Sequence, residues 1–193
     1  MEERRTVTVV SGLPRSGTSL MMQMLGAGGM PVLSDGMRAA DEDNPRGYLE
    51  LEAVKRMRKD AAWLSEAQGK AVKVIHLLLR DLPPDRAYRV VFMRRPVAEV
   101  VASQRAMLKR SGRQGARLPD DNLAALLEAQ ARDTQAWMAR QPHFRVLAVD
   151  YRDCIEQPGE VAARVNAFLG GRLDEAAMAG VVDAGLYRQR AGR

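Results

Sequence analysis

The sequence predicts an α/β domain of three layers, in which helices flank a central parallel sheet. Hydrophobic runs rich in β-branched residues lie at positions 6–10, 71–76, 88–93 and 144–150, and such runs favour buried strands. Helical patterns separate most of these runs, and this alternation is typical of a parallel sheet. We expect a single domain over residues 1–193, because this length suits one full-sized core.

The other elements follow from the spacing of apolar residues and from glycine and proline breaks. A short second strand is expected at residues 30–33, between glycines and a polar loop. Apolar residues recur at helical spacing in five further stretches. These predicted helices cover residues 18–25, 52–68, 97–109, 118–140 and 158–169.

Composition favours a globular protein with an anionic ligand. Hydrophobic residues make up 46% of the chain, which argues against disorder, and the net charge of +6 suits a polyanion. Aromatic residues are only 5%, few for stacking on nucleic-acid bases, so we expect no nucleic-acid partner. The single cysteine, Cys154, indicates a reducing compartment. With no apolar leader or membrane-length run, we expect a cytoplasmic protein without membrane contact, and the sequence leaves its oligomeric state open.

The first predicted strand leads into a glycine-bounded loop. Residues 11–20 read Ser-Gly-Leu-Pro-Arg-Ser-Gly-Thr-Ser-Leu, and an apolar helix pattern continues from them. Strand, tight turn and helix start form the layout of a phosphate-binding loop, because free N–H groups and the helix dipole attract anions there. Arg15, Ser16, Gly17, Thr18 and Ser19 are therefore candidate ligands of a phosphate.

This loop resembles a Walker A loop without its lysine. Gly12 and Gly17 have the Walker spacing, but Thr18 follows where lysine is expected, and the cation is Arg15. Such a loop suits a nucleoside triphosphate with magnesium poorly, so we expect no bound metal. A kinase using ATP is still one alternative, since the strand ending at Asp150 has Walker B character. A non-catalytic nucleotide-binding protein of the same fold is the other.

A second anion site is expected at residues 94–96, Arg-Arg-Pro, which end a predicted strand and begin a helix. In a parallel sheet, the loops that follow the strands meet at one edge. Arg94 or Arg95 and the phosphate-binding loop can therefore face one cleft. Such a cleft should hold a ligand with two separate phosphate groups.

Residues 13–20 resemble the 5′-phosphosulfate loop of the sulfotransferase family, whose donor is 3′-phosphoadenosine-5′-phosphosulfate. Residues 94–96 and the following helix resemble the family's 3′-phosphate motif. Arg94 matches that motif by its distance from Pro96, and Arg95 matches by its distance from Ser103. Segments 44–50 and 149–170 also resemble family segments. The family's glycine-rich tail is not recognisable here, and Arg188 is a candidate substitute.

The resemblance implies a P-loop-like fold and transfer of a sulfuryl group to a hydroxyl or amine. The acceptor would be a small molecule or a carbohydrate, and the nucleotide product would be 3′-phosphoadenosine-5′-phosphate. Arg15 and the loop N–H groups would stabilise the charge that develops on the leaving 5′-phosphate. A general base should lie near the acceptor, and His76 and Glu50 are the candidates. His76 lies near the position of a family histidine, and Glu50 ends the segment 44–50.

Overall fold

The computed structural model of the chain describes residues 6–41, 44–112, 115 and 118–187. A four-stranded sheet, parallel throughout, forms the middle of this described part. Its strands are β1 (Thr6–Gly12), β2 (Ala71–Lys73), β3 (Ala87–Arg94) and β4 (Phe144–Asp150), in the order β2-β1-β3-β4. The predicted α/β class with a central parallel sheet is confirmed.

Helices connect the strands. They are α1 (Thr18–Ala27), α2 (Val97–Arg110), α3 (Asp120–Met138), α4 (Tyr151–Glu156), α5 (Pro158–Leu169) and α6 (Glu175–Gly180). Short 3₁₀ helices occupy Glu52–Arg56, Ala62–Ser65, His76–Asp81 and Ala184–Leu186. Across the described residues, none of the helices has both the length and the apolar character that crossing a bilayer requires.

Alternating strand residues build a core on each face of the sheet. Val9 of β1 is fully buried on one face, where it packs in a cluster with Trp63 and with Met138 of α3. Val10 is fully buried on the other face, in a cluster that includes residues of α1 and α5. Because successive side chains of a strand point to opposite faces, the hydrophobic run of β1 serves both cores. This arrangement gives the three predicted layers.

Three predicted elements differ in the structure. The strand expected at residues 71–76 ends at Lys73, and a 3₁₀ helix begins at His76. The expected helix over residues 52–68 is broken into two 3₁₀ turns, because the Asp60 carboxylate accepts a hydrogen bond of 2.9 Å from the Ala62 N–H. The expected strand at residues 30–33 is only an isolated bridge between Val32 and Ala71. Within residues 52–68, a short polar side chain that accepts a hydrogen bond from a nearby N–H group thus outweighs helix propensity.

The strand register sets where functional residues can meet. Gly12 at the end of β1 is aligned with Met93 of β3, and Met93 is aligned with Val149 of β4. Lys73, the last residue of β2, is aligned with Val10. The loop after β1, the residues after β3 and the start of α4 therefore lie at the same carboxyl edge of the sheet, where open α/β sheets bind ligands.

Candidate active site

A cavity of about 440 Å³ opens at the carboxyl edge of the sheet. It is bounded by the loop after β1, by residues 44–55, by α2 and by residues 181–183 of the C-terminal part. Cavities of this size are typical of small-molecule and cofactor sites. The cavity brings together several of the residues that the sequence indicated.

The loop between β1 and α1 presents the open N-terminus of a helix to the cavity. Gly17 precedes α1 with φ 99°, and no side chain caps this helix. A Cβ atom at Gly17 would lie 2.3 Å from Cδ2 of Tyr151, so only glycine fits beneath that ring. Gly17, Thr18 and Ser19 line the cavity, where the first N–H groups of α1 have no intrahelical acceptor. This edge of the cavity is suited to an anion.

Ser16 occupies a different place from its neighbours in the loop. Its side chain is buried, it does not line the cavity, and its N–H donates to the Leu13 carbonyl at 3.2 Å. The Ser16 hydroxyl is buried without a hydrogen-bond partner in the structure. The Ser16 side chain therefore lies beneath the loop and away from the cavity surface.

Arg15 joins the two predicted anion motifs. Its Nε donates to Ser103 Oγ at 3.0 Å, and its carbonyl accepts from Arg95 Nη1 at 3.2 Å. Arg15 also has φ 67°, a left-handed conformation that is uncommon for residues with a side chain. Burial lowers the pKa of Arg15, yet a guanidinium stays charged in proteins. The loop after β1 and helix α2 thus contact each other through this one cation.

Arg95 and Arg94 have opposite surroundings. Arg95 lines the cavity, and its largely buried Nε donates to Glu99 Oε2 at 2.9 Å. Arg94 does not line the cavity and is about half exposed. It binds both carboxylate oxygens of Asp150, at 3.1 and 2.7 Å. Of the two candidate arginines, the geometry therefore favours Arg95, together with Ser103, which also lines the cavity.

Lys73 is a cation of the site that the sequence reasoning did not include among the phosphate ligands. Its Nζ donates to Ser19 Oγ at 2.8 Å and to the Tyr48 carbonyl oxygen. The Asn44 amide donates to the same Ser19 oxygen at 2.8 Å. Lys73 thus supplies the lysine that the loop itself lacks, from the end of β2. The sequence placed Lys73 within the strand predicted at residues 71–76, and only the structure shows that β2 ends at this residue.

Burial makes the Lys73 ammonium unusually acidic. The pKa of Lys73 is lowered to about 8, mainly because burial removes the ammonium from water, and the nearby Arg38 and Arg15 act in the same direction. The negative charge of Glu50 acts in the opposite direction and raises this pKa. Near neutral pH the residue is therefore a buried cation that an anionic ligand would stabilise.

Glu50 lies on the wall of the cavity. Its carboxylate accepts from Arg38 Nη1 at 3.0 Å, and the Arg38 guanidinium lies 3.3 Å from the centre of the Tyr48 ring. Among the described residues, the acidic ones that line the cavity are Glu50 and Asp183. Glu50 is the one whose charge acts on Lys73. A carboxylate next to the anion-binding cations is well placed to accept a proton from a bound hydroxyl.

His76 lies behind the cavity wall. Its ring is buried, does not line the cavity, and has Nε2 3.1 Å from Gln130 Oε1 of α3. Burial is the largest influence and lowers the pKa of His76, while Gln130 and the Gly12 carbonyl partly offset it. The ring Nδ1 of His76 is buried without a hydrogen-bond partner. The geometry does not favour His76 as a base, and its role stays a prediction.

Arg188 lies outside the described residues. Within the described ranges, His, Cys, Asp and Glu form no group of three or more that could hold a metal ion. Asp150, the residue with Walker B character, is bound by Arg94 in the fork geometry described above.

The comparisons with known proteins concern the family and the fold of the chain. The model of the sulfotransferase family matches residues 48–175, well over half of the chain. No curated protein matches the chain significantly. Similar solved folds include the sulfotransferase domain of the Synechococcus PCC 7002 olefin synthase, at 18% identity and TM-score 0.53, covering 96% of this chain and 83% of that one.

Two other bacterial structures have similar folds. A sulfotransferase of Mycobacterium tuberculosis has 17% identity and TM-score 0.55, covering 95% of this chain and 73% of that one. A sulfotransferase of Alicyclobacillus acidocaldarius has 15% identity and TM-score 0.53, covering 94% and 88%. At these identities the structures establish the fold, and the family match adds the assignment: the chain belongs to the sulfotransferase family of enzymes.

Proposed function

We propose that this sulfotransferase moves a sulfuryl group from 3′-phosphoadenosine-5′-phosphosulfate to a hydroxyl or amine of a small-molecule or carbohydrate acceptor. The observation that carries the proposal is the contact between Arg15 and Ser103, with 3.0 Å between Nε and Oγ. This contact joins the loop before the uncapped N-terminus of α1 to the first half of α2, and both elements line the same cavity. Two anion sites in one cavity suit a nucleotide that carries phosphates at both ends of its ribose.

The lining residues fit the two ends of this donor. The 5′ end would bind at the N-terminus of α1, to the N–H groups of Gly17, Thr18 and Ser19 and to Arg15. The 3′-phosphate would bind to Arg95 and Ser103, because a guanidinium and a hydroxyl both donate to phosphate oxygens.

The single cysteine, Cys154, is consistent with a cytoplasmic enzyme.

In the proposed reaction, the acceptor oxygen or nitrogen attacks sulfur, and the bond between sulfur and the 5′-phosphate oxygen breaks. Negative charge develops on that oxygen, where Arg15, Lys73 and the N–H groups of α1 would stabilise it. Glu50 would accept the proton that the acceptor loses. The burial of Lys73 strengthens its contribution, because charges interact more strongly where water is excluded.

Calorimetry with two nucleotides tests the donor. We expect 3′-phosphoadenosine-5′-phosphate to bind more tightly than ATP with magnesium, because Arg95 and Ser103 have no partner on ATP. Tighter or equal binding of ATP with magnesium would contradict the proposed donor. Turnover of the sulfated donor with a panel of phenols, alcohols, amines and sugars would then identify the acceptor class, and absence of turnover with all of them would favour a binding protein.

Binding of the nucleotide product should depend on the charge of Lys73. The pKa of Lys73 is about 8 in the free enzyme, so the ammonium is charged below that pH and is neutral above it. A bound anion favours the charged form, and binding above pH 8 must therefore take up a proton. We expect the affinity for 3′-phosphoadenosine-5′-phosphate to fall as pH rises through about 8, by up to about tenfold per unit.

Calorimetric titrations below and above this pH, for wild type and Lys73→Met, would measure this dependence. The variant keeps the length and bulk of the side chain but has no proton to exchange. This variant should bind the nucleotide more weakly at neutral pH, and its affinity should no longer fall as pH rises through about 8. An unchanged pH profile in Lys73→Met would show that another group titrates.

A further inference from the structure

The carboxylate of Glu99 is nearly fully buried next to the cavity, at the first turn of α2. A buried carboxylate is costly unless cations and hydrogen-bond donors surround it. Arg95 Nε donates to Oε2 at 2.9 Å, and Arg152 Nη2 lies 3.6 Å from Oε1. The Tyr187 hydroxyl lies 2.9 Å from Oε1 and 2.8 Å from Oε2, and donates to this carboxylate. Glu99 is therefore held by groups from three different parts of the chain.

The same residues surround the guanidinium of Arg95. Its carbon lies 4.7 Å from the ring centre of Tyr151 and 5.1 Å from that of Tyr187. The two rings meet edge to face, with centres 5.1 Å apart. A planar cation between two aromatic rings and a carboxylate has little freedom to change direction. The orientation of Arg95 thus depends on Tyr187 twice, through its ring and through the carboxylate that its hydroxyl holds.

Tyr187 is the last residue of a segment that lines part of the cavity, here called the C-terminal strap (residues 181–187). Its first residue, Val181, accepts a hydrogen bond from Arg46 through its carbonyl oxygen. Asp183 lies 4.0 Å from the same arginine, and both strap residues line the cavity. The strap therefore connects the 44–50 segment on one side of the cavity with the Arg95 cluster on the other.

We propose that Tyr187 and Glu99 are positioning residues that aim Arg95 at the 3′-phosphate, so that the C-terminal strap sets the preference for a 3′-phosphorylated nucleotide. This inference rests on the proposed function, in which Arg95 binds that phosphate. The preference is measured as the affinity for 3′-phosphoadenosine-5′-phosphate divided by the affinity for adenosine 5′-phosphate. A residue that only stabilises the fold would change both affinities together and leave their ratio unchanged.

Calorimetry with both nucleotides tests the proposal on five variants. Arg95→Ala should remove most of the preference. Tyr187→Phe keeps the ring and removes the hydroxyl, and should reduce the preference by about tenfold, the usual effect of losing a hydrogen bond to a charged group. Tyr88→Phe is the matched control, because its hydroxyl is bonded to the Pro83 carbonyl at 2.9 Å and does not touch the cluster. It should keep the wild-type preference.

The other two variants, Glu99→Gln and Glu99→Gln with Tyr187→Phe, show whether the hydroxyl acts through the carboxylate. In a Glu99→Gln background, adding Tyr187→Phe should change the preference little, because the interaction that the hydroxyl holds is already altered. An unchanged preference in a folded Tyr187→Phe protein, or equal effects of Tyr187→Phe in both backgrounds, overturns the proposal. A wild type without any preference, or an Arg95→Ala protein that keeps it, overturns the proposed function as well.

Discussion

Replacing Glu50 by glutamine should reduce the rate of sulfuryl transfer by about 10²–10⁴-fold, the range expected for loss of a general base. The amide keeps the size of the side chain but cannot accept the acceptor's proton. Binding of 3′-phosphoadenosine-5′-phosphate should change far less than the rate, provided that it is measured well below pH 8, because Glu50 belongs to neither anion site and acts on binding through the charge of Lys73. Single-turnover rates at saturating donor measure the chemical step, and calorimetry measures binding.

Two control variants separate catalysis by Glu50 from its other contacts. Arg38→Met removes the partner at 3.0 Å but leaves the carboxylate, so it should keep most of the rate. An equal loss in Arg38→Met and Glu50→Gln would mean that the ion pair, and not proton transfer, is what matters. His76→Asn should also keep most of the rate, because its ring lies behind the cavity wall. A collapse in His76→Asn alone would make the histidine the base.

Patterns of hydrophobic residues were enough to predict the fold class. The runs that became β1 and β3 are buried at most positions, as a central strand of a parallel sheet requires. The run that became β4, at the edge of the sheet, is buried at Phe144 and Val149. The stretch 52–68 was mistaken for one helix because local spacing cannot show that Asp60 would turn the chain. Such breaks depend on one side-chain hydrogen bond and on packing against Trp63, which only tertiary structure supplies.

The binding residues were predictable from the sequence where they lie close together in the chain, and unpredictable where they come from distant parts of it. The loop at 12–19 carries its own signal, because glycine spacing and a helix start are enough to indicate an anion site. Lys73 reaches Ser19 across 54 residues of sequence, through the pairing of β2 with β1. The choice between Arg94 and Arg95 likewise depends on Asp150, which β4 places beside Arg94.

Replacing Arg15 by alanine should give the largest loss of donor binding and also reduce the rate of transfer, by about 10²–10³-fold for a lost transition-state contact. The variant loses the cation at the 5′ end and the bond to Ser103 Oγ. Arg15→Lys should retain much of the binding, because it keeps the charge. Calorimetry with 3′-phosphoadenosine-5′-phosphate and single-turnover rates would measure both losses. Ser103→Ala, which removes the bond to Arg15 together with the proposed contact to the 3′-phosphate but keeps the guanidinium, should lose less than Arg15→Ala.

The backbone of Arg15 provides a further check on this prediction. At φ 67° glycine avoids the strain that a side chain brings, which is about 1 kcal/mol or more per residue. Arg15→Gly should therefore unfold at a temperature at least as high as Arg15→Ala, yet bind the nucleotide as weakly. Strain at this position would then be the cost of holding a guanidinium between the two phosphate sites. Near-normal nucleotide binding in both variants would place the 5′-phosphate elsewhere in the cavity.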